Sequence, residues 1–205
     1  LAQRGYRMTG VDQSEGMLTH FQNALSKEPA QVQKRVSLVK QPMAEFSLDQ
    51  KFSTVICCDA FFHNLTVADE ISCLKHIADH LMPNGRLLLN LPNPDCEFIL
   101  KSEGSSGDEF ELRGKYPLKG GSGVLVVEQS NRGDVQKQTI TTNLRFTILD
   151  ERGEEIGREK SSWKIRYLFP YEAVHLLVRC GFRVKALVGD YQNSPVEKGS
   201  QLIFD

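Results

Sequence analysis

Two kinds of hydrophobic spacing alternate over the first 95 residues: short apolar runs of extended character, and stretches whose apolar residues recur every three or four positions. Tyr6 to Val11 reads as a short strand that ends in Asp12-Gln13-Ser14. Met17, Leu18, Phe21, Ala24 and Leu25 then give an amphipathic helix over 15–26 with Ser14 as its cap. Val36 to Val39 and Thr54 to Cys58 are apolar without clean alternation, as buried parallel strands are. Thr66-Val67-Ala68-Asp69 sets a hydroxyl three residues before a carboxylate, a capping-box variant. Behind it Val67, Ile71, Leu74, Ala78 and Leu81 form one stripe, predicting a helix over 67–81. Pro83-Asn84-Gly85 then turns the chain into a fourth strand, Arg86 to Leu91. Strand and helix in this rhythm imply right-handed crossovers and a parallel sheet flanked by helices.

The pattern changes near Pro92. Residues 101–122 are rich in Gly, Ser and charge and read as loop, with Gly120-Gly121-Ser122-Gly123 at the end. Val124 to Glu128, Gln138 to Leu149 and Glu159 to Leu168 are β-prone, and Asn131-Arg132-Gly133-Asp134 and Asp150-Glu151-Arg152-Gly153 separate them as turns. These runs predict an antiparallel meander. The α/β rhythm then returns, with Pro170 opening a helix, Gly181 just past its end, and strands at Phe182 to Val188 and Gln201 to Phe204. The fold class is therefore α/β: a Rossmann-like, mostly parallel core from 1–100 and 169–205, with 101–168 inserted as loop and meander.

Composition narrows the function classes. The 205 residues carry 25 basic and 26 acidic side chains for a net charge of −1, a balance unlike that of a dedicated nucleic-acid binder. No apolar run approaches the roughly 18 to 20 residues that cross a bilayer. The five cysteines, Cys57, Cys58, Cys73, Cys96 and Cys180, show no zinc spacing and read as free thiols in a reducing, cytoplasmic compartment. No metal is expected.

In an open parallel sheet the ligand lies at the carboxyl ends of the strands. Gly10-Val11-Asp12, Gln41-Pro42-Met43-Ala44 and Cys58-Asp59-Ala60-Phe61-Phe62-His63 end strands on that edge. A carboxylate at position 12 suits the two hydroxyls of a ribose. It equally suits a helix cap or a solvated turn.

Gly10-Val11-Asp12-Gln13-Ser14-Glu15-Gly16-Met17-Leu18 resembles the stretch after the second strand of class I S-adenosylmethionine-dependent methyltransferases, Gly-x-Asp-x-Ser-x-x-Met-Leu. His63-Asn64-Leu65-Thr66 is similar to a later motif of those enzymes, and His80-Leu81-Met82-Pro83-Asn84-Gly85-Arg86-Leu87 resembles their His-Leu-x-Pro-Gly-Gly-x-Leu stretch. Cys180-Gly181-Phe182 and Gly189-Asp190-Tyr191 share that look, so the resemblance spans 1–100 and 160–205.

The resemblance implies methyl transfer from S-adenosylmethionine to a small-molecule acceptor. Asp12 would hold the ribose, with Gln13 and Met17 beside it. Met43 and Ala44 would lie against the adenine, and Asp59, Ala60 and Phe61 would border the methionyl part. Methyl transfer is an in-line displacement, so positioning is the main task. Imidazole titrates near neutrality, which makes His63 the candidate base where the nucleophile must lose a proton; a loop-packing role is the other reading. In such enzymes an insertion often covers the site, so Tyr116, Trp163, Arg166 and Tyr167 are candidate substrate contacts. Alternatively Trp163, Ile165 and Tyr167 pack inward while Lys164 and Arg166 face water.

The family's first strand and its glycine-rich loop are expected before Leu1. With the family's strand order 3-2-1-4-5-7-6, the absent strand is central, leaving facing edges at Tyr6–Val11 and Thr54–Cys58. Pro42 and Ser53 stand where relatives often carry acids. The competing readings are a non-catalytic remnant binding or dimerising through its meander, and a nicotinamide-dependent oxidoreductase.

Overall fold

The computed structural model describes residues 1–118 and 121–205; Gly120, within the predicted loop, lies outside the described residues. After a 3-10 turn at Ala2–Arg4, β1 (Met8–Asp12), α1 (Glu15–Leu25), a short α2 (Ala30–Gln33) and β2 (Val36–Lys40) form one crossover unit. β1 and β2 pair in parallel from Met8 opposite Val36 to Asp12 opposite Lys40. Ser14 caps α1, its side chain accepting from the Met17 N–H at 3.3 Å. Of the predicted apolar stripe only Leu25 is buried, while Met17 and Phe21 stay exposed, because a two-stranded ribbon offers α1 little surface.

β3 (Phe52–Cys57), a 3-10 turn at Phe61–His63, α3 (Val67–His80) and β4 (Leu81–Pro92) repeat the unit, with β3 and β4 parallel. Thr66 accepts from the Asp69 N–H at 3.1 Å, as the capping pattern predicts. The buried face of α3 is rotated from the apolar stripe: Glu70, Cys73, Leu74, Ile77 and His80 are inside, and Val67 is half exposed. Two polar residues on that face have internal partners. Glu70 binds Arg166, and His80 accepts the Leu48 N–H at Nε2 while Nδ1 meets the His76 carbonyl at 2.6 Å. At the start of β4, Asn84 takes φ +61 and the register with β3 slips between Phe52 and Thr54. A Cβ on Gly85 would come within 2.9 Å of the Met82 carbonyl oxygen, so only glycine fits this turn.

Among the described residues β1 pairs only with β2, and β3 pairs only with β4. One side-chain bond, Gln50 Nε2 to Thr9 Oγ1 at 2.7 Å, joins the β1 ribbon to the loop before β3.

The stretch expected as loop, 101–122, takes in the end of α4 (Cys96–Glu103), a helix capped by Asp95, and the whole of β5 (Glu111–Pro117). β5 opens an antiparallel sheet in the order β5-β6-β7-β8, with β6 Val124–Asp134, β7 Thr139–Leu149 and β8 Glu155–Arg166. Asn131-Arg132-Gly133-Asp134 is strand, not turn; the chain reverses at 135–138, where Gln138 takes φ +53. Gly133 serves close packing instead, since a Cβ there would lie 2.9 Å from the Glu103 nitrogen at the end of α4. The second turn is where expected, with Asp150 accepting from Arg152 and Glu154 N–H groups and Gly153 at φ +82.

α5 (Pro170–Arg179) leads to β9, only Leu187–Val188, and to β10 (Gln201–Phe204), which runs antiparallel to both β4 and β9. The main core gathers Phe61, Leu74, Ile77, Leu89, Leu202 and Phe204 between α3, α5 and the β3–β4–β10 sheet. A smaller core, Ile99, Ile140 and Tyr167, fixes α4 to the meander.

Candidate functional site

β1 and β2 run parallel and lead at their carboxyl ends into 12–17 and 41–44, and Asn64 joins the segment after β3 to Met43. Asp12 ends β1 half-buried, and its Oδ1 accepts the Ser14 N–H at 2.8 Å. Its second oxygen has no hydrogen-bond partner among the described residues. Gln13 and Met17 are exposed beside it.

Met43 and Ala44, half-buried beyond β2, are tied to the next segment. Asn64 donates from Nδ2 to the Met43 sulfur at 3.3 Å and to the Phe61 carbonyl at 2.9 Å, and Ser72 donates to the Ala44 carbonyl at 2.7 Å. Asp59 takes the left-handed φ of +50. Its N–H donates to Asn90 Oδ1 at 2.6 Å, and Asn90 Nδ2 returns to Asp59 Oδ1 at 3.1 Å. Asn90 itself is buried near the carboxyl end of β4. Ala60 is half-buried, whereas Phe61 is wholly inside the core, so only its backbone is available at this edge.

His63 is exposed, its Nδ1 lying 3.4 Å from the Lys164 carbonyl of β8. A carbonyl only accepts, so this contact favours the tautomer protonated on Nδ1 and leaves a lone pair on Nε2. Cys57 is no rival as a nucleophile: burial pushes its thiol up to about 12, and that of Cys73 to about 11.

The candidate substrate contacts diverge. Tyr116 on β5 and Trp163 on β8 are partly exposed. Arg166 does not face water. It is buried and donates to Glu70 at 2.6 and 2.7 Å, to Gln138 at 2.8 Å and to Glu172 at 3.1 Å. Tyr167 is packed inside against Phe169 and the α4 core. Both are committed to the protein interior, because β8 ends by passing from the meander into the core. Burial pushes the Glu70 carboxyl up, and Arg166 opposes that shift.

Of the residues that brace this edge, Asn64 stands within the motif His63-Asn64-Leu65-Thr66, whereas Ser72 and Asn90 belong to none of the motifs above. Asn90 carried a visible signal, a lone amide within Leu87-Leu88-Leu89-Asn90-Leu91.

A model described as a methyltransferase domain matches residues 1–85. The putative methyltransferase YqeM of Bacillus subtilis (strain 168) is 24% identical over 206 residues, covering 100% of this chain and 76% of that protein. A crystal structure of an S-adenosylmethionine-dependent methyltransferase from Clostridium acetobutylicum shares the fold, with a TM-score of 0.76, 18% identity, and coverage of 100% and 76% of the two chains. The glycopeptide N-methyltransferase MtfA, complexed with S-adenosyl-L-homocysteine, superposes with a TM-score of 0.62 at 25% identity over 99% of this chain and 73% of its own. Residues 1–85 thus resemble a methyltransferase domain, and the whole chain shares the fold of S-adenosylmethionine-dependent methyltransferases.

Proposed function

We propose that this protein contributes to methyl transfer from S-adenosylmethionine to a small-molecule acceptor. The observation that carries the reading is Asp12: a carboxylate at the end of a parallel strand, oriented by Ser14, with one oxygen left for a ribose diol. Gln13 and Met17 flank it. Met43 and Ala44, held by Asn64 and Ser72, form the adenine side. Asp59, Ala60 and the Phe61 backbone border the methionyl side, fixed by Asn90. The cofactor supplies an electrophilic methyl on a sulfonium centre. The protein's share is to hold the acceptor in line and to exclude water. His63 Nε2 takes a proton where the acceptor must lose one.

Residues 1–100 and 169–205 are read as the catalytic core and 101–168 as its cover, with Tyr116 and Trp163 on the acceptor side. MtfA acts on a glycopeptide, which supports a small-molecule rather than a macromolecular acceptor. The open edges of β1 and β3 support a further strand between them in the complete sheet, since unpaired edges in a sheet interior are unfavourable. Five free cysteines support a reducing, cytoplasmic setting.

Calorimetric titration with S-adenosylhomocysteine tests the reading, on this chain and on one extended upstream. Asp12→Ala is expected to weaken binding about tenfold or more, the loss of a charge-assisted pair of hydrogen bonds. Equal binding by the variant, or stabilisation by NAD in place of S-adenosylhomocysteine, overturns it.

A further inference from the structure

The meander carries a polar cleft of about 880 Å³, which none of the roles above uses. Strand register builds it. Arg132, Thr141 and Lys164 lie opposite one another across β6, β7 and β8, and Asp134, Thr139 and Arg166 form the next row on the same face. The acids at the cleft are already engaged: Asp134 pairs with Lys137 at 2.9 Å, and Glu103 accepts the Val135 N–H at 2.8 Å. Arg132 and Lys164 make no ion pair among the described residues. Neighbouring strands are about 5 Å apart, so these two cations flank Thr141 at about 10 Å from each other, within joint reach of one anion above it.

Thr139 supplies an independent sign. It lines the same cleft, is 3% exposed, and its hydroxyl is the buried side-chain oxygen without a hydrogen-bond partner among the described residues. A buried hydroxyl left unpaired is unfavourable by about 1–3 kcal/mol, so such an atom commonly marks where a partner arrives. The cleft also touches the reaction edge, because Lys164 contributes both its side chain to the lining and its carbonyl to the His63 contact.

We infer that this cleft binds the anionic group, a carboxylate or phosphate, of the methyl acceptor, between Arg132 and Lys164 with Thr139 and Thr141 as hydroxyl partners. This rests on the methyl-transfer reading for the identity of the ligand, though not for the site itself. The acceptor class is then a small acid or phosphate ester.

The test is an amide-resonance titration of the whole chain with inorganic phosphate and, separately, with succinate, each against sodium chloride at matched ionic strength. Expected are shifts at Thr139, Thr141 and Lys164 that chloride does not produce, with the tighter of the two ligands assigning the headgroup. Arg132→Ala and Lys164→Ala should each weaken that ligand about tenfold. Thr139→Val should weaken it too while leaving the melting temperature equal or higher, since it removes an unpaired hydroxyl. No ligand-specific shift, or shifts that persist unchanged in both cation variants, overturns the inference. S-Adenosylhomocysteine binding in the same samples separates the two readings: its failure with anion binding intact removes the methyl-transfer reading alone, and the reverse removes the anion site alone.

Discussion

Arg166, the last residue of β8, reaches both oxygens of the Glu70 carboxylate in the first turn of α3 from a single guanidinium nitrogen, at 2.6 and 2.7 Å. The pair is almost fully buried, and it ties the end of the meander to the helix that follows the His63 turn. Removing one partner leaves the other charge buried and uncompensated, so Arg166→Ala is expected to lower stability by about 3 kcal/mol or more. Replacing both at once, Glu70→Leu with Arg166→Met, removes the desolvated charges together and should recover most of that loss. Urea unfolding of the two singles and the double measures the coupling.

Asn90 and Asp59 form the second joint. A non-glycine residue at φ +50 is strained by about 1–2 kcal/mol, and the reciprocal bonds from Asn90 hold it there. Asn90→Leu fills the same volume with an apolar side chain but leaves the Asp59 N–H without its acceptor. The expected outcome is a loss of about 1–3 kcal/mol in urea unfolding and faster exchange of the Asp59 amide hydrogen. Asp59→Gly should be neutral or slightly stabilising, because glycine adopts this φ freely.

How far the sequence spoke depends on what each residue answers to. Caps and strand ends are local, so Ser14, Thr66 and Asp12 were legible, as was the Asp150 turn with Gly153. The rotated face of α3 was not, because its inner positions include Glu70 and His80, whose partners Arg166 and Leu48 are distant in sequence. Arg132-Gly133-Asp134 looked like a turn because glycine there answers to α4 packing across the sheet rather than to its own backbone. The same distance effect hid the fate of Arg166, a candidate substrate contact from its place in the inserted cover, whereas the inward packing of Tyr167 follows the alternating reading of β8. Helix α4 escaped because its apolar run, Phe98-Ile99-Leu100, is short and leads straight into a glycine- and serine-rich stretch.

The thiols should separate by burial. Cys57 and Cys73 are held in the protonated form far above neutrality by desolvation, with about 12 and about 11 as their values, whereas Cys96 is exposed at the start of α4. Iodoacetamide under native conditions at mildly alkaline pH should therefore label Cys96 first and leave Cys57 and Cys73 unmodified until denaturant is added. Peptide mapping by mass spectrometry reads the order, and early labelling of Cys57 would show that the β3 edge opens.

Acid should loosen the meander through one cross-strand pair. Glu128 and Arg145 stand directly opposite on β6 and β7, joined by two bonds of 2.8 Å, with the guanidinium 4.3 Å from the centre of the Phe110 ring. Hydrogen bonding to Arg145 holds the Glu128 carboxyl below its ordinary 4.5. A carboxylate whose folded value is depressed contributes stability above its unfolded value and loses it as pH falls through the folded one. Glu128→Gln, which imitates the protonated acid, should be less stable than the parent by about 1 kcal/mol or less at neutral pH, the two side chains being only partly buried. Below the carboxylate range the two proteins should melt together, since the parent has lost the same charge. Melting curves of both across that interval check the sign: a gap that stays constant into acid would mean that the pair is held by shape and ring stacking instead of by the carboxylate's charge.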